Sequence, residues 1–466
     1  MLNACIRTVV VTGIILALAG CATTVPVEQP DLPAADQWNA PPMESAQAPD
    51  QQWWQAFGSE QLNGLIEQAF AGSPDLAATA ERVFQAEQQV RVAGSSLFPS
   101  LNLNASTGER ATDDGGSESR SESTSANLNV SYELDLWGRL AASRDESEAG
   151  YRATVFEYDS ARLSLASSVA TTWFRLMALE EQLRVARENL AIAERTEDIV
   201  DARYRNGAAS RAELLRQQTE VLNQRASLEP VALEYRQTRS ALAVLVGVSP
   251  LDFEADAGTQ SLMDLTLPAV DAGLPSDLLT RRPDLASAEA QLQAADANLA
   301  RARAAWLPSV SLGLNAGAST ANLASLANPV ETLGWTITLA QSLFDGGERD
   351  AQTAISESRR RALVEDYRGA ILSALQETDD ALDRLQTSER REALQQTVSE
   401  RAGRTLELTD LRYRAGSDEL LTLLDAQRTL FQTREQLVQL RLTRLQATVD
   451  LYRAVGGGWS QTKEDE

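Results

Sequence analysis

Apolar residues along this chain keep two different periods. Leu101, Leu103 and Ala105 alternate with Asn102 and Asn104, and Leu128, Val130, Tyr132, Leu134 and Leu136 do the same. Alternation over roughly ten residues predicts strands, of the length a tilted membrane strand needs. Val310, Leu312, Leu314 and Ala316 predict a third strand, and Leu333, Trp335, Ile337 and Leu339 a fourth. The stretch Thr107–Thr124, rich in Ser, Gly, Asp and Glu, is expected as a polar loop between the first two. After Gly138 the period becomes helical. Leu163, Ala166, Ala170, Trp173 and Met177 recur at spacings of 3 and 4, and Leu363, Tyr367, Ile371, Ala374, Thr378, Ala381 and Leu385 do much the same. These predict helices over 139–205 and 350–414, each about 100 Å long at about 1.5 Å per residue. Their many small residues allow close coiled-coil packing. Each stops at a glycine, Gly207 or Gly416, and a return helix follows, over about 212–246 and 419–454. Shorter helices open at Pro74-Asp75 and Pro283-Asp284, where proline and an acidic residue suit a helix N-terminus.

This order of elements occurs twice. Pro74-Asp75-Leu76-Ala77 matches Pro283-Asp284-Leu285-Ala286, Pro99-Ser100 matches Pro308-Ser309, Gly138 matches Gly347, and Arg203-Tyr204-Arg205-Asn206-Gly207 matches Arg412-Tyr413-Arg414-Ala415-Gly416. Every pair lies 209 residues apart. One module is therefore duplicated, with repeat 1 over 57–247, a connector over 248–265 and repeat 2 over 266–455. Residues 456–466 are expected as a flexible tail. Gly138, Gly346 and Gly347 mark strand-to-helix turns. Four strands cannot close a barrel, for which about eight is the minimum; three copies would supply twelve. The expected fold is mainly α with a membrane β-barrel: a duplicated strand-strand-long-helix module whose trimer makes a 12-stranded β-barrel continued by a long α-barrel.

The first residues add an address. Arg7 and the apolar run Val9–Ala19 read as a signal peptide, too short to span a bilayer. It ends at Leu18-Ala19-Gly20-Cys21, which resembles a bacterial lipobox. Residues 1–20 are then removed, Cys21 carries the acyl chains, and 21–56 form a lipidated extended segment. Ala22, rather than Asp, follows the cysteine, so the outer membrane is the expected location. No cysteine remains for a disulfide.

Composition narrows the function. The chain has no histidine, which removes His-based general bases, Ser-His-Asp nucleophiles and His-ligated zinc. Lys plus Arg is 42 against 66 Asp plus Glu, a net charge of −24 with no basic stripe, so nucleic acid is an unsuitable partner. Scattered carboxylates form no catalytic or metal motif. No enzyme activity, metal or cofactor is expected.

Arg281-Arg282-Pro283-Asp284-Leu285, Ala304-Ala305-Trp306-Leu307-Pro308, Leu343-Phe344-Asp345-Gly346-Gly347, Tyr132–Arg139, and Arg412–Gly416 followed by Leu423-Leu424-Asp425-Ala426-Gln427 together resemble the outer-membrane efflux proteins of the TolC/OprM type, in the lipoprotein branch serving RND pumps. The resemblance covers about 53–455. It implies a homotrimeric, passive exit duct for small toxic compounds, joined by a periplasmic adaptor to an inner-membrane RND transporter. It also implies a periplasmic gate. Asp425 falls on the family's acidic ring position and Leu421 on its apolar constriction, while Glu213 stands where some relatives place an acidic gate residue. Thr422 replaces a second acidic residue found in some relatives. Gly207 and Gly416 are helix-tip turns where an adaptor would dock. Arg203, Arg205, Arg412 and Arg414 either pair across helices there or form a solvated basic helix end. Trp137 and Trp306 are candidate interfacial anchors or ordinary core residues. Two other functions remain open on the residues alone: an exit duct for secreted protein, and a structural coiled-coil lipoprotein without a pore.

Overall fold

The computed structural model describes residues 37–39, 49–113, 115–116, 118–255, 260–321 and 328–460. Cys21 and the expected signal peptide lie outside the described residues. In chain order the main elements are helices α1 (Glu60–Gly72) and α2 (Pro74–Ser95), strands β1 (Ser100–Asp113) and β2 (Glu118–Leu134), and helices α3 (Arg139–Arg205) and α4 (Arg211–Leu245). The second series follows: α5 (Pro283–Ala304), β3 (Ser309–Thr320), β4 (Val330–Ala340), α6 (Glu348–Arg414) and α7 (Leu420–Ala454). Both long helices, α3 and α6, have 67 residues, and both return helices, α4 and α7, have 35.

The compact units cut across the two repeats. Of the described residues, the first holds those within 82–155 and 287–369, the second those within 37–81, 156–286 and 370–460. In the first, β1, β2, β3 and β4 form one antiparallel sheet in sequence order. The β2–β3 pairing, Leu134↔Val310 through Thr124↔Thr320, joins the strands of the two repeats. One expectation is corrected here. Thr107–Thr124 is not a loop: Thr107 pairs with Thr124 and the ladder continues to Asp113↔Glu118. Strand pairing needs only backbone groups, and β-branched threonines suit a pleated surface, so polar side chains did not end the strands. The hydroxyls of Thr107 and Thr124 also bond across it at 2.9 Å.

In the second unit the core gathers around aromatic residues. Trp53 stacks on Tyr452 with centroids 5.0 Å apart, and Phe57 lies against Phe174 at 5.0 Å. Trp53 to Phe57 form a short 3₁₀ turn ahead of α1. Ser59 caps α1 by accepting from the Leu62 amide, and Leu62, Ile66 and Ala69 bury its inner face. The duplication extends to backbone contacts. A Cβ at Gly247 would lie 2.0 Å from the Gly72 carbonyl oxygen, and one at Gly456 would lie 1.8 Å from that of Arg281. Both glycines have positive φ, 77° and 90°, so each ends a return helix where only glycine fits. Residues 456–459, expected as the start of a loose tail, are packed: Trp459 donates to Asp159 at 2.9 Å and stands edge-on to Phe156.

Buried arginines tie segments of this unit together. Arg282 forks onto Asp284 (3.0 and 2.8 Å), reaches Glu377 at 2.9 Å and donates to the Ala454 carbonyl at 3.1 Å. Arg441 donates to the carbonyls of Met263 (3.2 Å) and Leu265 (2.5 Å) in the inter-repeat connector and pairs with Glu392 at 3.3 Å.

Candidate functional site

Strand register sorts the sheet into two faces, because side chains alternate with period two. On one face Leu101 stands opposite Val130, Val130 opposite Leu314, and Leu314 opposite Trp335. The neighbouring rows, Leu103–Leu128–Ala316–Leu333 and Tyr132–Leu312–Ile337, continue it. Trp335 is 72% exposed and Leu333 80% exposed. An apolar band this large, facing outward, is the mark of a lipid-contacting surface. From Val310 to Ala316 it spans roughly 20 Å of strand, at about 3.3 Å per residue, and Glu331 opposite Ala318 ends it. The other face is polar, with neutral amides along its middle and Glu133, paired with Arg139, near the helix end. Asn102, Asn129 and Asn315 share a row, as do Asn104 and Asn127, and Asn315 donates to the Asn129 Oδ1 at 2.7 Å. Beyond the band, charged residues appear on β1 and β2, with Arg120 and Glu109 paired at 3.4 Å.

Two edges of this sheet are left over. Among the described residues β1 pairs only with β2, and β4 only with β3. In hydrocarbon each unpaired backbone group costs several kcal/mol, so an apolar-faced sheet must close on further strands. No described helix is long and apolar enough to cross a membrane.

Strand gives way to helix at the expected glycines: φ is 72° at Gly138, 68° at Gly346 and 91° at Gly347. The sequence reading missed the carboxylates that secure these turns. Asp135 accepts from the amides of Leu140 (3.0 Å) and Ala141 (2.8 Å) at the start of α3. Asp345 accepts from Gly347 and Arg349, and the Arg349 guanidinium holds its carboxyl below the usual carboxylate range. An Asp just before a predicted helix was the available signal. The two tryptophans near these turns are anchored by hydrogen bonds. Trp137 donates to the Pro308 carbonyl at 2.6 Å, and Trp306 donates to Thr353 at 3.0 Å under the Arg349 guanidinium. Trp335 is the tryptophan on the apolar face.

At the other end of the long helices, Gly207 (φ 76°) and Gly416 (φ 78°) make the α3–α4 and α6–α7 turns. The turns differ in their caps. Ser210 and Glu213 form a complete capping box: the Glu213 amide donates to Ser210 Oγ at 3.2 Å, and the Glu213 carboxylate accepts from the Ser210 amide at 2.6 Å. That backbone bond holds the Glu213 carboxyl below its ordinary pKa. Glu419, the N-cap of α7, makes no side-chain cap bond. Arg203 lies over the ring of Tyr413 at 4.7 Å and donates to its carbonyl at 3.2 Å, so of the four tip arginines this one binds repeat 1 to repeat 2. Tyr413 is 2% exposed, and burial pushes its phenol pKa up. Arg205 and Arg414 instead pair with Asp201 and Asp410 on their own helices.

Leu421 and Asp425 lie one turn apart on the exposed face of α7, while Leu420, Leu423 and Leu424 pack inward on Val200. Leu421 is 52% exposed. Thr422 is exposed beside them. No group of side chains among the described residues is arranged to hold a metal ion.

Comparison with known proteins agrees with this geometry. Residues 65–248 and 274–457 each match the outer membrane efflux protein family, two matches displaced by the same interval as the sequence repeat. The chain is 39% identical over 455 residues to the pyoverdine export outer membrane protein OpmQ of Pseudomonas putida, covering 95% of this chain and 96% of that protein. It is 31% identical to the toluene efflux pump outer membrane protein TtgC of Pseudomonas putida, covering 95% and 93%. Among solved structures, CusC superposes with a TM-score of 0.86 at 28% identity, covering 94% of this chain and 100% of that one. The open-state outer membrane channel MtrE of Neisseria gonorrhoeae gives 0.85 at 28% identity, covering 94% and 98%.

Proposed function

The chain belongs to the outer membrane efflux protein family, and we propose how its own residues serve the duct. It is an outer-membrane channel through which an efflux pump discharges. One observation carries the reading: a four-stranded sheet with one apolar face, one amide-lined face and two unpaired edges. Three copies pairing β4 of one to β1 of the next close all edges into twelve strands. The apolar band then meets lipid, and the Asn ladder lines the lumen. Long helices continue the passage into the periplasm, where an adaptor and an inner-membrane RND transporter complete the pump. Acyl chains on Cys21 add anchoring of about 0.8 kcal/mol per buried CH₂.

The gate of this reading is at the α7 tip. Threefold symmetry turns Leu421 into an apolar ring that resists wetting and Asp425 into a carboxylate ring that favours cations. Glu213 contributes by fixing the neighbouring α3–α4 turn through its capping box. The duct itself is passive, so substrate choice lies in the transporter. Small toxic compounds are the expected cargo. Export of a siderophore-like molecule is a second reading, favoured by the 39% identity to a pyoverdine export protein.

Planar-bilayer conductance of purified wild-type protein beside Asp425→Ala tests the assignment. Small cation-preferring channels are expected from the wild type, and larger, less selective ones from the variant. Unchanged channels would remove Asp425 from the gate. Absence of any channel from folded trimer would turn the reading toward a coiled-coil lipoprotein without a pore.

A further inference from the structure

The core between the tip helices is largely apolar but holds buried amides. Along α7 the buried positions run Leu420, Leu423, Leu424, then Ala426 and Gln427, then Leu430 and Phe431. Gln427 therefore stands where the periodicity asks for an apolar residue. It separates a cluster around Val200, Tyr413 and Leu423 from one around Ala402, Leu430 and Phe431. It is 2% exposed; its Nε2 donates to Thr196 Oγ1 at 2.8 Å, and its Oε1 has no partner among the described residues. Gln217 of α4 repeats the arrangement one turn further along α3. It is fully buried, its Nε2 donates to the Ala193 carbonyl at 2.8 Å, and its Oε1 is without a partner. Asn189, also buried, has a partner on neither amide atom. Asn189, Ala193 and Thr196 lie on one face of α3, at i, i+4 and i+7.

A buried amide oxygen without a donor raises the free energy of the packed state, and water reaching it removes that penalty. The Gln427 amide thus opposes close packing of α7 on α3 while the leucines on both sides favour it. The caps indicate which helix yields. The start of α4 is closed by the Ser210–Glu213 box, but α7 begins at Glu419 without a side-chain cap. The same α7 turns carry Leu421 and Asp425.

We propose that the buried amide of Gln427, in the cluster with Asn189 and Gln217, sets the balance between closed and open positions of the α7 tip, with Thr196 as its closed-state partner. The proposal rests on the gate reading above. In the closed state Thr196 satisfies one amide atom of Gln427, and parting of α7 exposes the whole amide to water. Removing the threonine hydroxyl therefore penalises only the closed state. Replacing the glutamine with leucine removes the penalty and adds apolar packing.

The two changes act in opposite directions, which a merely structural role does not predict. Thr196→Val, an isosteric change, is expected to raise single-channel opening frequency of the full-length protein in planar bilayers roughly tenfold. Gln427→Leu, alone or with Thr196→Val, is expected to lower it by a similar factor while the trimer stays at least as heat-resistant as wild type. Gln427→Met, read in the same way, serves where Gln427→Leu assembles poorly. Opening frequencies that stay at the wild-type value, or that fall in Thr196→Val and Gln427→Leu alike, would overturn the proposal. Leu421→Ala in the same bilayers separates the two levels. If it changes opening and Gln427→Leu does not, the gate stands and the Gln427 amide is only structural; if Leu421→Ala is also silent, the gate reading itself has failed.

Discussion

Replacing Arg441 with methionine should loosen the inter-repeat connector far more than it disturbs the helices. The side chain is about one-tenth exposed, and so is that of its partner Glu392, so solvent screens the pair little. Methionine fills nearly the same volume, so no cavity term enters. What is lost is the charge-assisted pair to Glu392 and the donors to the Met263 and Leu265 carbonyls. Glu392 keeps Arg444 at 3.0 Å, which limits the penalty. Hydrogen bonds from a charged donor contribute about 1.5–3 kcal/mol each, so losing the two to the connector costs it about 3–6 kcal/mol. At 1.4 kcal/mol per decade this raises the population with residues 262–265 released by roughly two to four orders of magnitude. Cleavage of the native protein by chymotrypsin at this stretch reports that population when reclosing is faster than cutting. Arg441→Lys should not rescue, because one ammonium cannot serve the separated carbonyls and the carboxylate together. A cleavage rate within about threefold of wild type would refute the argument, since it would mean under about 0.7 kcal/mol at stake.

Other outcomes follow from the same geometry. Gly247→Ala and Gly456→Ala should each prevent formation of heat-resistant trimer on gels, because the new Cβ meets a backbone carbonyl. Gly416→Ala, where nothing lies within 4 Å, should cost only the left-handed strain of about 1–2 kcal/mol and leave assembly intact. Trp335→Arg on the apolar face should cost about 2–4 kcal/mol near the bilayer midplane and reduce insertion into vesicles, whereas Asn129→Ser on the amide face should insert normally. The Glu213 cap should weaken in acid. Its folded pKa is depressed, so its contribution is complete above the unfolded value near 4.3 and is lost as pH falls through the folded one. Amide exchange at residues 207–213 should therefore rise at low pH in wild type, while Glu213→Gln should show faster exchange at neutral pH and little further change.

Much of this molecule can be read from its residues, because the signals are local or periodic. A two-residue period places Leu101 and Trp335 on strands, a 3–4 spacing places Leu163 to Met177 on a helix, and a constant 209-residue interval reveals the duplication whatever the fold. The glycine turns are equally plain, since positive φ at Gly207 and Gly416 is a property of the residue itself. Hydrophobicity, however, reports where a strand meets lipid and not where pairing stops, which is why Thr107–Thr124 read as a loop and is a ladder. Tertiary structure alone decided three further matters. It joined β2 to β3, so that two repeats share one sheet. It brought Arg203 onto Tyr413 from 210 residues away. It also buried Gln217 and Gln427 against the same helix. Each depends on which surfaces meet in space, and pairing across hundreds of residues leaves no periodic trace in the chain.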